Sequence, residues 1–219
     1  MTAQNGEAAP ALGLEGLRGA LSELSAANEP CLNGHIDSLL GIDTVAIESG
    51  LDTFSLLRLH GIRFMNQGDL DWHQLATLWR LLEDLEITRV LDLGSGYGRL
   101  AFYGAIVCGV DVTGIELVAE RVREANRVSQ ALRLENARFE QADIGSCEWP
   151  PAECICIMNS VTPAERPQIL HRLHATCAGT DTLIAACSNI NLVLAKEPWS
   201  EWVAGHATIR VKFDVWRTR

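Results

Sequence analysis

Arg89-Val90-Leu91-Asp92-Leu93-Gly94-Ser95-Gly96-Tyr97-Gly98-Arg99-Leu100-Ala101 decides how the chain is read. Val90 to Leu93 is a short apolar run cut off by glycine, the pattern of a buried strand. Gly94 to Gly98 is a tight turn, and Arg99 to Val107 is apolar enough to be the helix that follows. A strand that passes through a glycine-rich turn into a helix aims backbone N–H groups and the positive end of the helix at one point in space. Glycine suits such a turn because a side chain would block a ligand's approach and because some positions call for positive φ. The stretch therefore predicts a ligand cradle at the carboxyl ends of a parallel α/β sheet.

The ligand is narrowed by spacing. A dinucleotide fingerprint reads G-x-G-x-x-G after a strand. Counted from Gly94, its last glycine falls on Arg99. Here the pattern is Asp-x-Gly-x-Gly-x-Gly, with Asp92 at the strand end, where an anion would repel a pyrophosphate and suit a cation. About twenty residues on, Val110-Asp111-Val112-Thr113-Gly114-Ile115-Glu116 places Glu116 at the end of a second strand, where a carboxylate can accept both hydroxyls of a ribose. Asp143 follows a third strand, a position suited to an adenine amino group.

Asp92 to Gly98, Gly114-Ile115-Glu116 and Gln141-Ala142-Asp143-Ile144 together resemble the first three motifs of the seven-stranded, Rossmann-like S-adenosylmethionine-dependent methyltransferases. The likeness runs from about Leu75 to the C-terminus. It implies an α/β fold with a doubly wound, mostly parallel seven-stranded sheet whose last strand is antiparallel. It assigns Asp92, Gly94, Ser95, Gly96, Tyr97 and Gly98 to the methionine end of the cofactor, Glu116 and Leu117 to the ribose, and Asp143 and Ile144 to the adenine. The wording of the loop is also similar to that of non-SET protein lysine methyltransferases. The cofactor implied is S-adenosyl-L-methionine, with S-adenosyl-L-homocysteine as product.

Composition sets the bounds. A chain of 219 residues makes one large domain, or a domain with a small addition, with ample core. Its formal net charge of −10 argues against a broad nucleic-acid footprint. No apolar run is long enough to span a bilayer, and Met1 to Pro10 lacks the basic start and apolar core of a signal peptide. The expectation is a cytoplasmic protein. Its seven cysteines are odd in number and include no C-x-x-C, which fits reduced, mostly buried thiols rather than disulfides or a metal site.

Residues 1–68 read as an N-terminal helical extension or lid, and 69–219 as the cofactor-binding domain. Leu14, Leu17, Leu21 and Leu24 form one helical stripe. It either packs on its own domain or builds a homodimer. Leu32 to Asp52 is mixed and glycine-punctuated and predicts no element; a short helix over Thr53 to His60 follows. Leu59 to Asp69 reads as a loop mixing bulky and polar groups. In the resembling family the segment before the first core helix folds over the cofactor or lines the acceptor pocket, which makes His60, Phe64 and Asn66 candidates. Asp71 is placed to cap a helix whose apolar face carries Trp72, Leu75, Leu78, Trp79, Leu82 and Leu85. Trp72, at its start, is a further substrate-pocket candidate.

Beyond the cradle, Val118 to Leu134 predicts a helix with Arg121, Arg123, Glu124 and Arg127 on a solvated face. Cys154 to Met158 is a buried strand ending at Asn159-Ser160-Val161-Thr162-Pro163. In the resembling family the acceptor meets the methyl group here, and Asn159 is the candidate contact to both cofactor and acceptor. The Asp/Asn-Pro-Pro-aromatic motif of members acting on nucleobases or glutamine is not met. Ala164 to Cys177 is a helix with His171 and His174 on a solvent face, and Thr182 to Cys187 is the fifth strand. Asn189 to Ala204 reads as irregular, and Thr208 to Arg217 alternates like the last strand of an antiparallel edge hairpin.

The chemistry implied is in-line transfer of a methyl group, which needs alignment and water exclusion more than covalent help. A hydroxyl acceptor would need a general base; Asn159 and His60 are the residues to name. The reading is a methyltransferase acting on nitrogen or oxygen of a small molecule, with a protein amine as the alternative. Two readings from other classes are an NAD-dependent oxidoreductase and a cofactor-binding protein without catalysis. No metal site is predicted.

Overall fold

A computed structural model describes residues 10–24, 33–60, 70–207 and 211–219. Four helices come first: α1 (Leu14–Leu24), α2 (Asn33–Leu40), α3 (Thr44–Gly50) and α4 (Thr53–His60). Then follow α5 (Trp72–Glu83), β1 (Arg89–Leu93), α6 (Arg99–Tyr103), β2 (Asp111–Glu116), α7 (Ala119–Leu132), β3 (Ala137–Gln141) and β4 (Cys154–Ile157). The chain closes with α8 (Arg166–Cys177), β5 (Leu183–Cys187), α9 (Ser188–Leu194), β6 (Ser200–Ala207) and β7 (Lys212–Thr218).

The seven strands form one sheet in the order β3-β2-β1-β4-β5-β7-β6. β1 to β5 pair in parallel, and β7 runs antiparallel to both β5 and β6. The final strand is thus an inner one, and β6 is the edge of the hairpin. Strand order turns back at β1 and β4, which opens a crevice beyond their carboxyl ends.

Alternation along the strands divides the core between two faces. Val90, Val112, Cys156 and Val215 meet α1, α2, α5, α6 and α7 on one side. Leu91, Leu93, Ile155, Ile157 and Ile184 meet α8 and α9 on the other. Asp71 caps α5 as its type and place predict: its carboxylate accepts the Gln74 N–H at 2.8 Å, and the Gln74 side chain accepts the Asp71 N–H at 2.9 Å. None of the six described cysteines is in a disulfide, and four of them are buried.

Two expectations are corrected, and one left open between two alternatives is narrowed. Residues 32–52 hold two helices, α2 and α3, of eight and seven residues, too short to display a stripe; α3 starts on Asp43, whose carboxylate accepts the Ala46 N–H. Residues 189–204 are α9 and β6 rather than irregular chain. Contacts to β7 decide this: Asn191 donates to the Lys212 carbonyl at 2.9 Å, and the Trp202 indole donates to Asp214 at 2.9 Å. A register shift between Trp202 and Ala204 breaks the alternation that would have marked β6. The α1 stripe is also settled: Leu17 and Leu21 are fully buried, and Arg18 Nε donates to the Ile106 carbonyl at 2.8 Å. The chain's own core covers the face proposed for a dimer.

The helix after the cradle widens into a π turn over Gly104–Cys108. A Cβ on Gly104 would lie 2.1 Å from a ring atom of Trp79, which is fully buried with its indole donating to the Leu100 carbonyl at 2.9 Å. Neither ring nor helix has room to yield. Gly104→Ala is expected to lose about 3 kcal/mol of stability, read as a melting temperature lower by roughly 6–12 °C. A melt within a degree of wild type would show that this packing is loose.

Candidate active site

The glycine turn is shaped by its neighbours. Gly94, Gly96 and Gly98 all have positive φ, +79°, +56° and +81°. A Cβ on Gly94 would fall 2.2 Å from Ser160 Cβ, and one on Gly98 would fall 2.5 Å from the Phe139 ring. Ser160, at the end of β4, also donates its hydroxyl to the Leu93 carbonyl. The ends of β1 and β4 are thus stitched together beside the turn.

The turn is not an open anion nest. The Gly94 and Ser95 N–H groups both donate to the Ile115 carbonyl, at 2.8 and 3.0 Å, and the Gly98 N–H donates to the Ser95 carbonyl at 2.9 Å. The Gly96 N–H donates to Glu116 Oε2 at 2.9 Å. With four N–H groups already bound to protein acceptors, a pyrophosphate has little to hold here. This corrects the expectation of free N–H groups converging on a ligand.

Two buried acids stand beside the turn instead. Asp92 is 3% exposed. Burial, reinforced by the neighbouring Glu116, pushes its carboxyl from 3.8 up to about 7. Glu116 is also buried; besides Gly96 it accepts the Val118 N–H at 2.9 Å. Those two bonds fix its rotamer and leave each oxygen a further lone pair. A buried acid next to an oriented carboxylate is an environment that a cation with hydroxyl groups would relieve. The described residues include no group of three or more His, Cys, Asp or Glu able to hold a metal.

Asp143 caps the turn after β3, accepting the Gly145 N–H at 2.7 Å and the Ser146 hydroxyl at 3.1 Å, and it is exposed. Ile144 is half-buried, and its carbonyl accepts the Trp149 indole at 3.1 Å. Trp149 packs into the core under the Arg172 guanidinium. Leu117, half-buried, follows Glu116 at the rim.

Across the crevice, Asn159 has φ of +60° and Ser188 +54°. Left-handed backbone outside glycine is uncommon and collects where ligands bind. The Asn159 side chain accepts from the Cys187 thiol at 3.7 Å, and burial pushes that thiol up to about 11. Trp72 is fully buried, its indole donating to Asp37 at 3.2 Å, so it offers no surface to a substrate. His60 ends α4, its side chain outside the described atoms, and Phe64 and Asn66 lie outside the described residues.

The sequence reading missed how α2 and α3 meet the cradle. Asp37, on α2, takes Arg99 through two hydrogen bonds of 2.9 and 2.7 Å. Glu48, on α3, accepts the Tyr97 hydroxyl at 2.9 Å and Arg121 at 2.9 and 3.2 Å. Arg121 is therefore buried rather than on a solvated face, and Arg127 reaches back to the Gly41 carbonyl. Ile36, Leu40 and Ile42, around Asp37, are buried with it, but helices this short carry no periodic signal in the sequence.

A family model described as a methyltransferase domain matches residues 85–172. A stretch of 73 residues is 47% identical to the 23S rRNA (uracil(1939)-C(5))-methyltransferase of Nitrosococcus oceani; it is 32% of this chain and only 16% of that relative's length. Among solved structures, tRNA (uracil-54, C5)-methyltransferase of Pyrococcus abyssi with S-adenosyl-L-homocysteine superposes with a TM-score of 0.53 at 19% identity, over 68% of this chain and 39% of that one. An RNA methyltransferase of Salinibacter ruber with the same ligand gives 0.51 at 20% identity, over 65% and 90%. Magnesium protoporphyrin IX methyltransferase of Synechocystis with bound cofactor gives 0.52 at 14%, over 66% and 77%. Residues 85–172 match the methyltransferase-domain model, and the sheet order with its antiparallel β7 gives the chain the class I, Rossmann-like fold of these solved structures.

Proposed function

We propose that the chain is an S-adenosylmethionine-dependent methyltransferase. The observation that carries this is the pair of buried acids, Asp92 and Glu116, beside a turn whose N–H groups already have partners. That arrangement favours a cationic nucleoside over the pyrophosphate of NAD. Glu116 would hold the ribose hydroxyls, and Asp92 would face the positive charge. Gly94, kept bare by Ser160, would leave room for the ligand.

Bound S-adenosylmethionine supplies a methyl group made electrophilic by its sulfonium. The chain's part is to orient and to exclude water. Asn159 and Ser160, at the end of β4, face the crevice from the acceptor side. The acceptor atom is nitrogen or oxygen. A ring carbon such as C5 of uracil carries no lone pair, so it would first need a nucleophile added to the ring. Cys187, the thiol nearest Asn159, is buried and protonated at neutral pH, a poor candidate for that addition.

Particular observations favour two acceptor classes over the protein amine. The 47% identical stretch of an rRNA enzyme supports RNA; the net charge of −10 supports a small molecule, since phosphate binding needs clustered cations. Label from tritiated S-adenosylmethionine, followed into RNA, protein and acid-soluble fractions of a cell extract, separates them. The function itself is tested by calorimetry with S-adenosylmethionine, S-adenosylhomocysteine and NAD. Micromolar binding of the first two is expected. Glu116→Ala removes two charge-assisted bonds and should weaken that binding by about 100-fold or more. Binding of NAD alone would return the chain to the oxidoreductase reading.

A further inference from the structure

A second concavity lies away from the cradle, on the face of the sheet that α8 and α9 cover. It is a groove of about 610 Å³ between the two helices, and none of its lining residues belongs to the cradle. Both helices run back from the carboxyl ends of parallel strands, β4 and β5, so they point the same way. Arg166, in the first turn of α8, therefore stands at the end nearer the crevice. His174 is eight positions on along α8, about 12 Å away, and stands at the far end with Trp199 and Glu197. Pro167, Leu170 and Val193 make the wall between the two ends apolar.

The Arg166 Nε is buried and has no hydrogen-bond partner among the described residues. The acid beside it, Glu165, is turned to Thr162 instead, accepting its backbone N–H at 3.0 Å and its hydroxyl at 2.6 Å. A buried donor without an acceptor is costly, and a guanidinium is shaped to take a carboxylate. At the far end the His174 ring stacks on the Trp199 indole, with centroids 4.7 Å apart and planes 12° apart, which closes the groove with a flat aromatic surface. The histidines and Glu197 form no metal-binding group of three among the described residues.

We propose that this groove binds an organic monoanion: a carboxylate at Arg166, with an apolar body laid along Pro167, Leu170 and Val193 toward Trp199. A concave, largely apolar lining with few polar groups, at this volume, has the form of a small-molecule site. Glu197 sets the limit on charge. An acid at the far end repels a second anionic group, so the groove suits one carboxylate and not a polyphosphate or a phosphodiester chain. The inference stands apart from the function proposed above.

The test is NMR titration of the whole chain, following the Arg166 Nε–H and the Trp199 indole N–H. The probe is 3-phenylpropionate, compared with its neutral isostere 3-phenylpropanamide and with inorganic phosphate. Saturable shifts of both N–H signals are expected with the acid at millimolar concentration. The amide lacks the charge and phosphate lacks the apolar body, so each should bind about tenfold more weakly. Arg166→Met keeps the bulk of the stem and removes the charge. Followed at Trp199, the acid should then lose about tenfold in affinity and fall to the level of the amide, with signals away from the groove unchanged. Val193→Glu places a second acid on the half-buried wall of α9 and should abolish binding, so the idea stays testable if Arg166→Met fails to fold. The inference is overturned by the absence of saturable shifts with the acid, by equal affinity for acid and amide, or by phosphate binding as tightly as the acid. Acid affinity unchanged in either variant overturns it as well.

Discussion

Asp92→Asn is expected to stabilise the ligand-free protein at pH 8 and to confer no gain at pH 4. In the unfolded chain this carboxyl titrates near 3.8, and burial beside Glu116 raises it to about 7 in the folded one. An acid with a raised folded pKa binds its proton more tightly when folded. Its contribution is therefore fully present below pH 3.8 and is lost as pH rises through 7. A shift of this size corresponds to something on the order of 4 kcal/mol between the two ends of that window. An amide at the same place carries no charge at either end. It still leaves a buried polar group short of partners, a cost of about 1–3 kcal/mol. The net gain at pH 8 is then about 1–3 kcal/mol, or some 2–4 °C in melting temperature for each kcal/mol in a chain of this size. Melting scans of both proteins from pH 4 to pH 8 test this. Parallel curves would mean that Asp92 is solvated and already ionised.

The same residue should make cofactor binding pH-dependent. A cation at Asp92 needs the carboxylate, so a proton must leave on binding wherever the free site is protonated. S-adenosylmethionine affinity should climb about tenfold per pH unit between 5 and 7 and level off above. In Asp92→Asn the profile should be flat and the affinity at pH 8 about 10–100-fold lower, the usual worth of a bond to a charged group. Stability gained and affinity lost at one position is what a site held ready for a ligand predicts.

The parts of this molecule that were legible from sequence are those where local pattern and tertiary role coincide. Val90 to Leu93 is buried wherever it is placed, and glycine must follow it because Ser160 and Phe139 crowd the turn. Spacing alone then put Glu116 beside Asp92, since adjacent parallel strands pair Asp92 with Gly114 two residues before it. The less legible parts depend on partners distant in the chain. Arg121 has the spacing of a solvent-facing residue on α7, yet it is buried because Glu48, 73 positions earlier, is brought over it. Asp37 and Glu48 sit in helices too short for periodicity to reveal. Trp72 looks like a pocket residue because it opens a helix near the cradle, whereas Asp37 binds its indole inside the core. Charges whose partners are far away in sequence carry no local signature, and here they join the N-terminal helices to the ligand cradle.

Arg99→Ala should be the most damaging single change outside the strands. Arg99 opens α6, 6% exposed, and its guanidinium meets both oxygens of Asp37, itself 2% exposed. Taking the cation away leaves a buried carboxylate that, among the described residues, keeps the Trp72 indole as side-chain donor at 3.2 Å. Breaking a buried pair on one side costs about 3–5 kcal/mol, because the orphaned charge stays out of water. The melting temperature should fall by roughly 6–20 °C. Replacing both partners distinguishes this cause from simple loss of packing. Arg99→Met retains most of the side chain's bulk, and Asp37→Asn keeps an oxygen for the Trp72 indole while removing the charge. The pair together should recover more than half of the loss seen in Arg99→Ala. If the double variant melts as low as Arg99→Ala, the guanidinium acts through contacts other than neutralising Asp37. Recovery of stability without recovery of S-adenosylhomocysteine affinity would place Arg99 in the geometry of the turn as well as in its support, since the residue follows Gly98 directly and any movement of one is transmitted to the other.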